Sequence, residues 1–281
     1  MKVAVITDSG SNLSKKYIDA ISNLEMCPLM INIEGKFYRD ILEISPEETY
    51  EKLKHSHVKT SLPNLEDFVK AIDKFKKIGY TDIIVITISS GLSGTYNGFK
   101  TIANDIEDIN IHLFDSKTLG MTEGILVEKA LELIEKGTEI KDILDSLTKL
   151  RFQDSFAIFT VETLKHLRRG GRIGLVEGTI GEILHIKPII AVNDDGVYHT
   201  LSKGFGMKRT IITMRNKLKD FCQDNPVEIT VHYGDNLEEG LKLESKIKTD
   251  LNVKKITTIP VTPVLGVHTG PKILAVVAKK L

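Results

Sequence analysis

Apolar and polar positions along the chain follow two different periods. The unbroken apolar run at Ile83 to Ile88 reads as a strand covered on both faces, because a half-solvated strand would alternate, and Val3 to Thr7 and Ile111 to Phe114 are also strand-like. Between them the apolar positions move to helical spacing. Ser45-Pro46-Glu47-Glu48 supplies an N-cap, a proline at the first helical position and a capping-box glutamate, which predicts a helix from about Pro46 to Lys54. Asn64 opens another helix, whose stripe of Phe68, Ile72 and Phe75 reads as core and whose end falls at Gly79. Ile31-Asn32-Ile33 and Phe37-Tyr38, joined by Glu34-Gly35-Lys36, predict a hairpin. Two helices follow between about Gly120 and Leu150, split at Gly137. Strands alternating with helices in this way mark an α/β sheet.

A fresh strand, Phe156 to Thr160, opens the second half. Pro188 to Val192 and Gly196 to Thr200 flank Asn193-Asp194-Asp195 and predict a second hairpin, since Asp-Gly suits the positive φ of a tight turn. Val227 to Tyr233, Leu237 to Leu251 and Ile256 to Val261 read as strand, helix, strand, and Ile273 to Ala278 as a last strand. A chain of 281 residues exceeds the usual single-domain size. The expected organisation is an N-terminal α/β domain over 1–152 and a second α/β domain over 153–281. No fixed-period repeat or low-complexity segment interrupts it.

Composition narrows the function classes. Lys+Arg and Asp+Glu both number 38, so the basic footprint of a nucleic-acid-binding protein is missing. Cys27 and Cys222 lie far apart and outside any Cys-x-x-Cys pair, which predicts buried reduced thiols. The opening Met1-Lys2-Val3-Ala4-Val5-Ile6 carries too short an apolar run for a signal peptide or a membrane span, so the default expectation is a cytoplasmic protein. His55 and His57 form the only close histidine pair and lack companion ligands, so no metal is expected. The chain has neither a P-loop nor a dinucleotide fingerprint. Gly91-Leu92-Ser93-Gly94 also departs from the Gly-x-Ser-x-Gly hydrolase pattern.

Candidate chemistry gathers at strand ends. After Ile88 the chain runs Ser89-Ser90-Gly91-Leu92-Ser93-Gly94-Thr95-Tyr96, with a helix expected to start near Gly94. Ligands in parallel sheets sit beyond the carboxyl ends of strands, and a helix start aims free N–H groups at an anion. Helix capping accounts for any one of these hydroxyls as well as ligand contact does; four hydroxyls with two glycines favour a site. Asp8-Ser9 and Asp115-Ser116 likewise follow apolar strands, placing polar groups along one edge of one sheet. Thr60-Ser61-Leu62-Pro63-Asn64 is a turn with two hydroxyls before a helix, more than capping requires. In the basic turn Leu167-Arg168-Arg169-Gly170-Gly171-Arg172-Ile173, Arg172 opens a further helical pattern at Ile173 to Leu184. A solvated turn is one reading of it. The other is a planar bidentate donor for phosphate or carboxylate. Gly266-Val267-His268-Thr269-Gly270-Pro271 places one histidine in a tight turn before the last strand.

Asp8-Ser9, Thr60-Ser61-Leu62-Pro63, Leu92-Ser93-Gly94-Thr95-Tyr96, Asp115-Ser116, Gly170-Gly171-Arg172-Ile173, Lys187-Pro188-Ile189 and His268-Thr269-Gly270-Pro271 together closely resemble the DegV family of fatty-acid-binding, fatty-acid-kinase-B-type proteins. The motifs keep the family's order from residue 3 to about residue 275. The resemblance implies a two-domain α/β fold, with a mainly parallel N-terminal sheet and a long-chain fatty acid in a tunnel between the domains. It implies that Ser93 and Thr60 or Ser61 hold the carboxylate, with Gly94 and His268 beside them. Arg172 would serve the phosphate stage, and Asp8, Ser9, Ser90, Thr95 and Ser116 would support the site from behind. It further implies a carrier that performs no chemistry and needs no cofactor. Such a monomer would present its carboxylate to a separate ATP-dependent fatty acid kinase, keep the acyl phosphate, and meet a membrane or acyltransferase transiently on the way to phospholipid synthesis.

Two positions depart from the family pattern. Asn64 replaces a usual serine, which alters the helix cap, and Lys272 replaces a second glycine, which brings a bulky cation beside the His268 turn. The competing reading is an acyl or phosphoryl transferase using Ser93, His268 and Arg172.

Overall fold

The computed structural model describes residues 2–179 and 186–281. The strands are β1 (Val3–Asp8), β2 (Leu24–Cys27), β3 (Met30–Ile33), β4 (Lys36–Arg39), β5 (Val58–Ser61), β6 (Asp82–Thr87), β7 (Asn110–Asp115), β8 (Ser155–Thr160), β9 (Ile186–Val192), β10 (Tyr198–Phe205), β11 (Val227–Tyr233), β12 (Val253–Pro260) and β13 (Leu274–Lys280). The α-helices are α1 (Lys15–Asp19), α2 (Pro46–His55), α3 (Leu65–Lys77), α4 (Thr95–Ala103), α5 (Met121–Glu135), α6 (Ile140–Lys149), α7 (Lys165–Arg169), α8 (Gly206–Cys222), α9 (Leu237–Asp250) and α10 (Pro263–Thr269).

β1, β2, β6 and β7 form a parallel sheet in the order β2-β1-β6-β7. Its centre is buried on both faces, as the unbroken run at Ile83 to Ile88 required. Val3, Val5, Ile84 and Ile86 pack against Leu126, Val127 and Ala130 of α5 and Ile143 and Leu147 of α6. The alternate residues Ala4, Ile6, Ile83 and Val85 pack against Phe68, Ile72 and Phe75 of α3 and Phe99 of α4. The rings of Phe68 and Phe99 stack with centroids 4.0 Å apart. Ser45 and Glu48 complete the capping box of α2, and the Asn64 side chain accepts from the Glu66 N–H at the start of α3.

The second sheet has the order β10-β9-β8-β13-β11-β12, antiparallel except for β11 with β12. Ile158, Ile229, Val231, Val276 and Ala278 face Met214 and Leu218 of α8 and Leu243 and Ile247 of α9. The opposite face contributes Phe159, Ile190, Tyr198 and Ile273 to a fourth core. That core also holds Leu29 and Ile31 beside the small antiparallel sheet β4-β3-β5, together with Val264, Leu265 and Val267 of α10. The seam between the two large sheets is therefore an apolar core, and α10 crosses it. Asp40 caps that helix from outside, its Oδ1 accepting from the Val264 N–H at 3.0 Å. Asn12, at φ 57°, uses both ends of its amide across the seam: Nδ2 donates to the Pro260 carbonyl at 3.1 Å, and Oδ1 accepts from the Thr262 N–H at 2.8 Å.

Three local expectations change. His268 lies inside α10, with the turn displaced to Gly270, because Pro263 starts a helix that the glycines at 266 and 270 had obscured. Thr60 and Ser61 belong to β5, paired with Ile31 and Met30, and are not in a turn. The helical pattern expected from Ile173 to Leu184 is a 3-10 segment over Gly174–Thr179, and its continuation lies outside the described residues. Among the described residues, no helix is long and apolar enough to cross a membrane. Cys27 and Cys222 are both buried and free.

Candidate functional site

Because β1, β6 and β7 are adjacent and parallel, Asp8, Ile88 and Asp115 emerge along one sheet edge. Asp8 ties two of these ends together: its carboxylate accepts from the Gly10 N–H at 2.7 Å and the Ile88 N–H at 2.9 Å. Burial nevertheless pushes its pKa up to about 7, against the two backbone N–H groups that favour the charged form. Ser9 accepts from the Leu29 N–H, and Ser116 bonds the backbone of Thr118. Asp115 accepts from the Ser90 N–H at 3.1 Å and pairs with Lys117 at 2.9 Å, while Lys117 Nζ donates to the Ser90 hydroxyl at 3.0 Å. Burial alone would raise the Asp115 pKa, but Ser90 and Lys117 outweigh it and the pKa is lowered. These residues fix the loops from behind.

The Ser89 to Gly94 loop is clamped across the seam. The Ser89 hydroxyl donates to the Gly196 carbonyl at 2.7 Å, and a Cβ on Gly91 would stand only 2.6 Å from that carbonyl oxygen. Gly91 is thus required by close approach of the β9–β10 hairpin. Ser93 follows, its Oγ 2.8 Å from the Thr95 hydroxyl and accepting from the Thr95 N–H at 3.3 Å, immediately before α4.

Thr60, Ser61, Ser93, Arg172 and His268 meet in one pocket of about 460 Å³ with Leu92, Tyr198 and Leu265. Asp8, Ser9, Ser90 and Ser116 do not line it, and Gly94 stands beside it as the residue preceding α4. His268 Nε2 is 2.7 Å from the Thr60 hydroxyl, while no described residue bonds its Nδ1. Burial, reinforced by the Arg172 charge, lowers its pKa from 6.5 to about 4, so the ring is neutral at pH 7. Arg172 is positioned by donating to the Leu92 carbonyl at 3.1 Å and the Gly170 carbonyl at 2.7 Å. Lys272 points away, its ammonium donating to the Asp235 carbonyl at 2.8 Å, so the expected cation beside His268 is absent. Behind the Thr60–His268 pair a recess of about 530 Å³ adds His57, Lys59, His166 and Arg169.

On the other side, Leu119, Tyr198 and Leu265 also line an apolar chamber of about 510 Å³ with Phe159, Val261 and Ile273. A polar mouth thus opens onto an apolar interior, the usual make-up of a small-molecule site. The residues that wall this chamber were not legible in the sequence, because they come singly from many elements. Tyr198, edge-on to Phe159 with ring centroids 5.1 Å apart, carried one usable signal: an aromatic within the second strand of a predicted hairpin. Among the described residues no cluster of three or more acidic, histidine or cysteine side chains could hold a metal.

Comparison with known proteins agrees with this architecture. A model of the DegV family of uncharacterised proteins matches residues 2–281. A DegV domain-containing protein of Clostridium acetobutylicum is 38% identical over 279 residues, covering 99% of each chain. A fatty-acid-binding DegV family protein from Thermus thermophilus superposes with a TM-score of 0.92 at 26% identity, covering 100% of both chains. A stearic-acid-binding protein from Eubacterium ventriosum superposes with a TM-score of 0.85 at 27% identity, covering 100% of this chain and 98% of that one. Family match, near full-length identity and shared fold agree: this chain belongs to the DegV family.

Proposed function

We propose that the protein binds a long-chain fatty acid, with its carboxylate in the polar mouth and its alkyl chain in the apolar chamber. The observation that carries this reading is the convergence of Thr60, Ser61, Ser93, Arg172 and His268 where the chamber opens. At about 0.8 kcal/mol per buried CH₂, a chain of about sixteen carbons contributes on the order of 10 kcal/mol of gross transfer free energy. The apolar term therefore supplies most of the affinity. The Thr60, Ser61 and Ser93 hydroxyls and the neutral imidazole orient the head group beside the Arg172 guanidinium.

The finer reading is a carrier that presents the carboxylate to a separate ATP-dependent fatty acid kinase and retains the acyl phosphate. It is supported by the cationic recess behind Thr60 and His268, which shares Arg172 with the mouth and adds Lys59 and Arg169. A carboxylate in the mouth lies beside guanidinium and ammonium groups suited to the added phosphate. The transferase alternative needs a nucleophile bonded to its base. Ser93 is instead bonded to Thr95, and His268 to Thr60.

Native mass spectrometry of the purified protein, followed by titration of delipidated protein with stearic acid, tests the reading. The expected results are a co-purifying acyl chain and saturable binding. Protein that carries no lipid and binds none overturns it.

A further inference from the structure

One wall of the apolar chamber does not match an alkyl chain. His232 of β11 lines it and is only 3% exposed, and among the described residues neither ring nitrogen has a hydrogen-bond partner. The backbones of Ile259 and Pro260 favour its protonation, in a geometry that falls outside a hydrogen bond. Burial dominates and lowers its pKa from 6.5 to about 4, which leaves a neutral ring with one donor and one acceptor. Thr122, in the first turn of α5, lines the same chamber, and its Oγ1 is also buried without a partner. A Cβ on Gly120 would stand 4.0 Å from His232 Nε2, so this nitrogen faces the chain segment that leads into Thr122.

Strand geometry explains why the ring points here. Ile229 and Val231 turn towards α8 and α9, so His232, one residue on, turns to the chamber face. A purely alkyl ligand is served by an apolar side chain at this position. It leaves the donor and the acceptor of a buried imidazole unmet, together with the Thr122 hydroxyl. An oxygen on the chain reverses that. A hydroxyl accepts from the ring N–H or donates to the bare nitrogen, an oxo group accepts from the N–H, and the Thr122 hydroxyl rotates to complement either.

We propose that the chamber selects long-chain fatty acids bearing a hydroxyl or oxo oxygen partway along the chain, recognised by His232 and Thr122. The proposal rests on the fatty-acid reading above and names the ligand class within it. The oxygen lies in the interior of the chain, because His232 lines the apolar chamber and not the mouth where Ser93 and His268 meet.

Delipidated protein is titrated with stearic acid and with a series of hydroxystearic acids whose hydroxyl moves along the chain. An interior hydroxyl should tighten binding about tenfold relative to stearic acid, and a hydroxyl next to the carboxyl should give no such gain. His232→Phe should abolish the preference while still binding stearic acid, with Thr122→Val as a milder second variant. Stearic acid bound as tightly as every member of the series overturns this proposal and leaves fatty-acid binding intact. Binding of no member, stearic acid included, overturns both. The wild-type series decides the question even where His232→Phe fails to fold.

Discussion

Gly170→Ala tests whether the placement of His268 controls the head-group site. Gly170 sits at φ −79° and ψ −10°, where alanine is at ease, and such exchanges commonly stabilise by about 0.4 to 1 kcal/mol through the unfolded chain. Here the added methyl would stand 2.1 Å from His268 Nδ1 and 2.7 Å from its Cε1. The ring has little freedom to retreat, since it is buried in α10 with Nε2 bonded to Thr60. Overpacking costs about 1 to 3 kcal/mol. Loss of the Thr60 bond adds about 0.5 to 1.5 kcal/mol. After the alanine gain is subtracted, a net destabilisation of about 2 kcal/mol remains, which lowers Tm by on the order of 5 °C for a chain of this size. Gly171→Ala is the matched control. Its φ of +68° strains alanine by about 1 kcal/mol, but nothing lies within 4 Å of the new Cβ. Thermal unfolding and stearic acid titration of both variants decide the matter. Gly170→Ala should weaken binding several-fold and Gly171→Ala should leave it unchanged. A Gly170→Ala protein with wild-type Tm and affinity refutes the reasoning.

Five further outcomes are expected. Ser93→Ala should weaken stearic acid binding by about 1 to 3 kcal/mol in direct titration, because one head-group donor is lost while the apolar term stays. Arg172→Ala should spare fatty-acid binding but impair acyl phosphate formation in an assay with a fatty acid kinase; loss of simple binding would contradict that division of roles. His268 should titrate near pH 4 by NMR, against 6.5 for a free ring. Because the fold disfavours the charged ring, its share of stability is complete above pH 6.5 and is lost as pH falls through about 4. Arg172→Met should raise that pKa without restoring the free value, since burial is the larger cause. Gly196→Ala should destabilise by about 2 to 4 kcal/mol in chemical denaturation, combining a φ of +83° with a Cβ 2.1 Å from the Ser89 hydroxyl.

The sequence was most readable where local physics decides the outcome. Ile83 to Ile88 read as a strand buried on both faces and Val3 to Thr7 as a strand, and Ser45-Pro46-Glu47-Glu48 carried its own helix start. Where start signals were missing, elements escaped. α8 begins at Gly206 with φ +67° and no side-chain cap, so its seventeen residues show no boundary even though Ile211, Met214 and Leu218 keep helical spacing. β5 is four residues long and is defined by pairing with β3, a partner that its own sequence does not name. In the site, the polar residues were legible as motifs, and Thr60, Ser61, Ser93, Arg172 and His268 do share one pocket. Chamber residues such as Leu119, Val261 and Ile273 carry no local mark, because what distinguishes them is only the face they present.

The two-ended amide of Asn12 has a consequence for how the molecule comes apart. Its bonds to Pro260 and Thr262, with Ser89 to Gly196 and Thr60 to His268, tie residues 107 to 250 positions apart across an apolar seam. Opening that seam breaks these bonds at once and wets the core that contains Leu29, Ile31, Phe159 and Ile190. Each half keeps the cores of its own sheet but loses the one they share, so calorimetry should record one cooperative transition. A bound acyl chain spanning mouth and chamber would then raise the melting of both halves together.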